Sequence, residues 1–159
     1  MNKSTLAATS LAVAVAAGSG SIASADAVSA WYARLRKPPY QPPNAAFPAA
    51  WTTLYGDIAV TSAVAIDRFR ASGQHDKARR YAAALGVNLV LNAAWSWLFF
   101  RFHKLGASAA GAVVLTASSA DLARRAAQAD PRAGLALSAY PLWCSFATAL
   151  STHVWRLNR

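Results

Sequence analysis

Apolar residues fall in five stretches, at 5–25, 47–66, 81–100, 105–123 and 134–155, most of them flanked by cations. Each is about twenty residues long, enough for a helix to cross a hydrocarbon core of roughly 30 Å. The pattern therefore predicts an all-α protein, an integral membrane bundle of five transmembrane helices. Lone prolines fall where helices tolerate them: Pro48 suits a first turn, Pro131 precedes the last segment, and Pro141 predicts a kink one turn inside it. The first stretch has a second reading. Lys3, the apolar run 6–17 and Ala23-Ser24-Ala25 before Asp26 also fit a signal peptide with its cleavage site.

The break between the first two stretches, 26–46, is of a different kind. From Trp31 to Asn44 it holds Pro38, Pro39, Pro42 and Pro43, the cations Arg34, Arg36 and Lys37, and the aromatics Trp31, Tyr32 and Tyr40. Proline fixes φ and removes a backbone donor, so no regular helix runs beyond about Arg36. Rings and cations together suit a membrane interface. The expectation is a stiff lid loop after helix 1, lying over something held between the helices.

Helical spacing then places particular side chains together. Trp51 and Tyr55 share one face of the second segment; Asn88, Asn92, Trp95 and Phe99 share a stripe of the third; Tyr140, Trp143 and Ala147 share one of the last. An amide without a partner is costly in hydrocarbon, so Asn88 and Asn92 are expected to face the interior, either joining neighbouring helices or touching a ligand. Trp31 and Trp155 read as interface anchors. Trp51, Trp95 and Trp143 fit that role less well, and an aromatic cavity with a few amides suits a large, flat, apolar ligand. Asp57, inside the second segment, is expected to be protonated or paired with a hydroxyl or amide of another helix, because a carboxylate at the bilayer centre costs about 2.5–3.5 kcal/mol. The pairs Ala82/Gly86 and Ala107/Gly111 predict close helix–helix approach.

Composition narrows the function classes. Apolar residues make up 55% of the chain and charged residues 14%, against roughly 25% in soluble domains. Alanine supplies much of the apolar share, so composition alone leaves a soluble alanine-rich bundle open. The net charge of +10 comes from cations set between the apolar segments rather than in a helical stripe, which argues against a nucleic-acid partner and for membrane flanks. Cations divide almost evenly between the two ends, so orientation is not fixed. The six acidic residues are all aspartate, Cys144 is the one cysteine, and His75, His103 and His153 lack metal-ligand spacing. No nucleophile–base pair, metal cluster or nucleotide loop is visible.

Four groups of residues, in register over 31–158, resemble the translocator protein family (TspO, the tryptophan-rich sensory proteins, including the peripheral-type benzodiazepine receptors). They are Trp31-Tyr32 with Leu35, Lys37-Pro38 and Pro42-Pro43; Phe47-Pro48 with Trp51-Thr52 and Leu54-Tyr55; Asn88, Leu91-Asn92, Trp95 and Phe99-Phe100; and Pro141, Trp143, Phe146-Ala147-Thr148, Trp155-Arg156 and Leu157-Asn158. The resemblance implies a retained first helix in a bacterial membrane, a lid over the cavity, and homodimers. It implies protoporphyrin IX or haem as ligand, with no obligatory cofactor, and sterol or benzodiazepine-type ligands besides. By position, the implied pocket is Tyr32, Pro42, Trp51, Tyr55, Asn92, Trp95, Trp143 and Ala147. The implied role is sensor, regulator or carrier in tetrapyrrole and stress responses. The alternative is a light- and oxygen-dependent enzyme degrading protoporphyrin IX, with Trp51 and Trp143 as its catalytic indoles. A structural membrane protein with an empty aromatic core is the third reading. The chain departs from the family at Asp57 and in the run before Arg156, where the tyrosine of the animal sterol segment is missing.

Overall fold

The computed structural model of the chain describes residues 1–25 and 30–159. Residues 26–29, the start of the expected lid loop, lie outside the described residues. The described residues are mostly helical: α1 (Lys3–Ser24), α2 (Ala30–Arg34), α3 (Ala46–Ala71), α4 (His75–Ser96) continued by a π turn (Trp97–Arg101), α5 (Leu105–Ala129), α6 (Pro131–Leu137) and α7 (Ala139–Leu157). Most helices run past the bounds of the apolar stretches. Charged residues such as Arg68 and Arg79 extend them, because a helix continues through polar residues once its apolar part is packed.

Four helical rods are long and apolar enough to cross a membrane: Lys3–Ser24, His75–Arg101, Leu105–Ala129 and Pro131–Leu157. The fifth expected segment falls in α3, which is not among these four. It has 26 residues but carries Asp57, Asp67, Arg68 and Arg70. Large apolar side chains face outward on every long helix, among them Leu11, Val60, Val90, Val114 and Leu142. Such exposure is unusual for a protein in water and ordinary for one in lipid.

Proline acts as the sequence suggests. Pro48 lies in the first turn of α3, and Pro131 opens α6. Pro141 lacks the N–H that would reach residue 137, and the helix breaks at Ser138, one turn before it. The loop expected over 26–46 is not wholly irregular, since residues 30–34 form one helical turn before the prolines begin. Pro38 and Pro43 carbonyls accept turn hydrogen bonds from Gln41 and Ala46.

The inter-helix joints differ from the small-residue pairs expected. Ala82 and Gly86 are exposed, and a Cβ on Gly86 would meet nothing within 4 Å, so they make no close contact with another helix of this chain. Gly111 does pack on α4, with its Cβ direction 3.6 Å from Leu98. The closest approach is at Gly134, where a Cβ would lie 2.5 Å from Ala127 Cα. Here α6 folds back on α5 directly after the Asp130-Pro131 turn. Asp130 caps α6, its Oδ1 accepting from Arg132 N (2.9 Å) and Ala133 N (3.1 Å).

Two predictions follow from this packing. Gly134→Ala is expected to lower the thermal midpoint, an overpacking cost of about 1–3 kcal/mol. Gly56→Ala, at an open helical position, is expected to be neutral or stabilising by up to about 1 kcal/mol. The hydrogen bonds from Ala133 and Arg132, with Arg68 and Arg132 nearby, hold the Asp130 carboxyl below the ordinary aspartate range. Its stabilisation is therefore present above the unfolded value of about 3.9 and lost as pH falls through the lower folded value. Melting curves taken below about pH 4 are expected to fall more steeply for the wild type than for Asp130→Asn.

Candidate ligand-binding site

The stripe on α4 is the backbone of the site. Asn88 is fully buried and Asn92 nearly so, and both amides are engaged. The Tyr140 hydroxyl donates to Asn88 Oδ1 (3.0 Å) and accepts from Asn92 Nδ2 (3.1 Å). Tyr55 donates to Asn92 Oδ1 (2.8 Å), and Asn88 Nδ2 donates to Ser118 Oγ (3.1 Å). One continuous network thus ties α4 to α3, α5 and α7. Each member is short and fixed, and in a medium without water an unmade bond of this kind costs several kcal/mol.

In front of that network lies a cavity of about 430 Å³. Its walls come from α1 (Ala17, Gly20, Ser21, Ser24), α3 (Phe47, Pro48, Trp51, Tyr55), α4 and its π turn (Trp95, Ser96, Phe99, Phe100) and α7 (Trp143, Ala147, Leu150, Ser151, Val154). Tyr32, Leu35, Lys37, Gln41 and Asn44 close one side from the proline-rich segment. Trp51 stacks on Tyr55 (5.5 Å, 30°) and meets Trp143 edge-on (6.4 Å, 88°). Trp95 stacks on Phe99 (5.5 Å, 19°). The π turn bonds Phe102 N to Trp97 O (2.9 Å), one residue more than an α turn. Phe99 and Phe100, both within this turn, reach the cavity together.

Six of the eight expected pocket residues line this cavity: Tyr32, Trp51, Tyr55, Trp95, Trp143 and Ala147. Asn92 and Pro42 do not. Asn92 stands behind the wall, with its amide consumed by Tyr55 and Tyr140. Pro42 is half-buried without lining the cavity, while the neighbouring Gln41 lines it and donates to Tyr32 Oη (3.2 Å). Sequence reading missed the α1 wall, Leu150 and Val154, and did not single out Lys37 from Arg34 and Arg36. The α1 wall is made of small residues with no chemical signal, and Lys37 was one cation among three.

Electrostatics concentrate at the segment. Lys37 Nζ donates to Tyr32 O (2.6 Å) and Leu35 O (3.3 Å) and lies 4.5 Å from the Tyr32 ring centre. Burial pushes the Tyr32 phenol up, partly offset by Gln41, so it stays neutral at working pH. The segment is tied to the end of α7. Arg36 N donates to Asn158 Oδ1 and Asn158 Nδ2 donates back to Arg36 O, both at 2.9 Å. Tyr40 and His153 share a hydrogen bond of 3.1 Å, and Trp31 stacks on His103 at 3.8 Å. Two indole N–H groups of the cavity wall, Trp95 Nε1 and Trp143 Nε1, are buried without a partner. So is Asp57 Oδ2, which lacks the hydroxyl or amide partner that was one of the two expectations for this side chain; the neighbouring Tyr81 hydroxyl is already shared with Ser62 (3.1 Å). Among the described residues no group of His, Cys, Asp or Glu could hold a metal.

Outward apolar faces, long apolar helices and an aromatic interior define an all-helical integral membrane protein with an aromatic-lined chamber. Residues 8–156 match the TspO/MBR family, and the chain belongs to it. It is 34% identical to Protein CrtK of Rhodobacter capsulatus over 93% of this chain and 89% of that one. It is 32% identical to the tryptophan-rich sensory protein of Cereibacter sphaeroides (80% and 77% covered) and 30% identical to the human translocator protein (80% and 75%).

The network makes a direct prediction. Asn92→Ala strands the Tyr55 hydroxyl and removes one partner of Tyr140. A loss of about 1–3 kcal/mol in unfolding free energy is expected, read from thermal melts in detergent. Tyr55→Phe, which leaves only one amide oxygen short of a donor, is expected to cost less.

Proposed function

We propose that this protein binds a planar tetrapyrrole, protoporphyrin IX or haem, in the aromatic cavity and acts as a sensor, regulator or carrier in a bacterial membrane. The observation that carries the reading is the cavity wall itself. Trp51, Trp95 and Trp143 come from three different helices and meet one apolar space. Ring faces and edges arranged this way suit a large π-system. A macrocycle is also edged with acceptors. The unpartnered Trp95 and Trp143 N–H groups supply donors for it, and Lys37 at the segment supplies a cation for its carboxylates. Arg34 and Arg36 do not line the cavity, so charge selection falls to Lys37.

In this reading α3 is the fifth span, held in the bundle by its packing on α1 and α4 although its own apolarity is lower. Its Asp57 is carried in its neutral form, since ionising it there would cost about 2.5–3.5 kcal/mol. The proline-rich segment is the lid, hinged on Asn158 and His153. The family resemblance and the apolar outer faces support a homodimer. A second reading, light- and oxygen-dependent breakdown of the bound porphyrin, is favoured by one observation: Trp51 and Trp143 lie 6.4 Å apart on the same cavity.

Titration of the Soret band with the detergent-solubilised protein tests the proposal. Saturable binding is expected, with Trp143→Ala weakening it about tenfold, equivalent to about 1.4 kcal/mol. Lys37→Gln is expected to weaken protoporphyrin IX more than its dimethyl ester. Identical curves for wild type and both variants would remove the site. Illuminating the complex with and without oxygen separates the two readings: bleaching that disappears in Trp51→Phe/Trp143→Phe favours breakdown, and a stable spectrum favours binding alone.

A further inference from the structure

A second groove lies at the other end of the bundle, between α1, α3 and α4, with a volume of about 370 Å³. It shares no residue with the aromatic cavity. Its character changes along its length. Ser4, Thr5 and Arg70 lie where the three helices end, and Ala12, Gly86 and Leu89 lie deeper along the helices. From Ser4 to Ala12 is about 12 Å at 1.5 Å per residue. The groove exists because Gly86 leaves the face of α4 bare: a Cβ there would meet nothing within 4 Å. Thr9 is no polar obstacle, since its hydroxyl is turned to the carbonyl of Ala59 (2.9 Å).

The mouth is cationic. Arg70 is exposed, and its Nη1 donates to Thr5 Oγ1 (3.1 Å), which holds the guanidinium at the groove. A guanidinium carries five N–H donors, so most of its capacity faces outward. The counter-charge nearby is Asp67, which also accepts from Asn2 N. Asp67 also faces the Met1 amino group and the Thr5 hydroxyl, and Arg70 is the one charged residue that lines the groove among the described residues. Cations outnumber aspartates on these helix ends, which sit at headgroup depth when the bundle spans a bilayer.

We propose that this groove holds one anionic phospholipid. The phosphate meets the outward N–H groups of Arg70, whose guanidinium Thr5 holds in place, and one acyl chain lies over Ala12, Gly86 and Leu89. The order of polar mouth and apolar floor matches the order of headgroup and tail. Net negative charge is required because the ammonium of a zwitterionic headgroup would be repelled by Arg70 and Lys3. The site is independent of the tetrapyrrole chamber, and failure of either assignment leaves the other standing.

Native mass spectrometry of the full chain, released from detergent with phosphatidylglycerol or phosphatidylcholine of identical acyl chains, tests it. Wild type is expected to retain the anionic lipid several-fold more than the zwitterionic one. Arg70→Gln, at an exposed position that does not threaten folding, is expected to erase that preference. Gly86→Phe, at a position where an added Cβ meets no atom within 4 Å, is expected to occupy the groove and lower retention of both lipids several-fold. Lys104→Gln, a cation at the opposite end, is expected to change nothing. Equal retention of the two lipids by wild type would overturn the proposal, as would an equal effect of Lys104→Gln and Arg70→Gln. Efficient Ala12→Cys cross-linking of two copies with no lipid retained would give the groove to a second copy instead.

Discussion

A buried amide in a membrane interior must find its partners inside the protein, and the structure turns on that constraint. Asn88 and Asn92 sit on one face of α4 with no water to serve them. Tyr140 lies between them, as donor to one and acceptor from the other, with Tyr55 and Ser118 closing the ends. Apolar contact distinguishes helix from lipid poorly, since tails are as greasy as leucine. Directional polar bonds supply the missing specificity, fixing the rotation of α3, α4, α5 and α7 about their axes.

Those rotations decide where the indoles point. Trp51 lies one turn before Tyr55 on α3, Trp95 three residues beyond Asn92, and Trp143 three beyond Tyr140. Fixing Tyr55, Asn92 and Tyr140 therefore aims all three tryptophans at one space. The network is the back wall and the rings are the chamber. The proline-rich segment adds the front, pinned to the end of α7 by the paired Arg36–Asn158 bonds.

Much of this was legible in the amino-acid order because helical periodicity is a local property. The stripe from Asn88 to Phe99 and the Trp51/Tyr55 pair needed only residue spacing. The division of labour between Asn92 and its neighbours did not follow from spacing, because it depends on Tyr140 arriving from a helix far along the chain. Phe100 lies off the stripe that runs through Asn92, Trp95 and Phe99, so spacing alone did not assign it to the cavity it lines. Ala82 and Gly86 show the opposite failure. Small residues signal that something comes close, and within this chain no helix does. At Gly134, by contrast, the absence of a Cβ is required by the backbone of Ala127, a contact that residue spacing did not mark.

The most direct measurement is a structure of the protein with protoporphyrin IX, determined in a lipid environment. The account predicts macrocycle density between Trp51, Trp95 and Trp143, its carboxylates toward Lys37, and Asn92 still bonded to Tyr55 and Tyr140. A macrocycle bound on an outer face, with the chamber collapsed or filled by side chains, would contradict it.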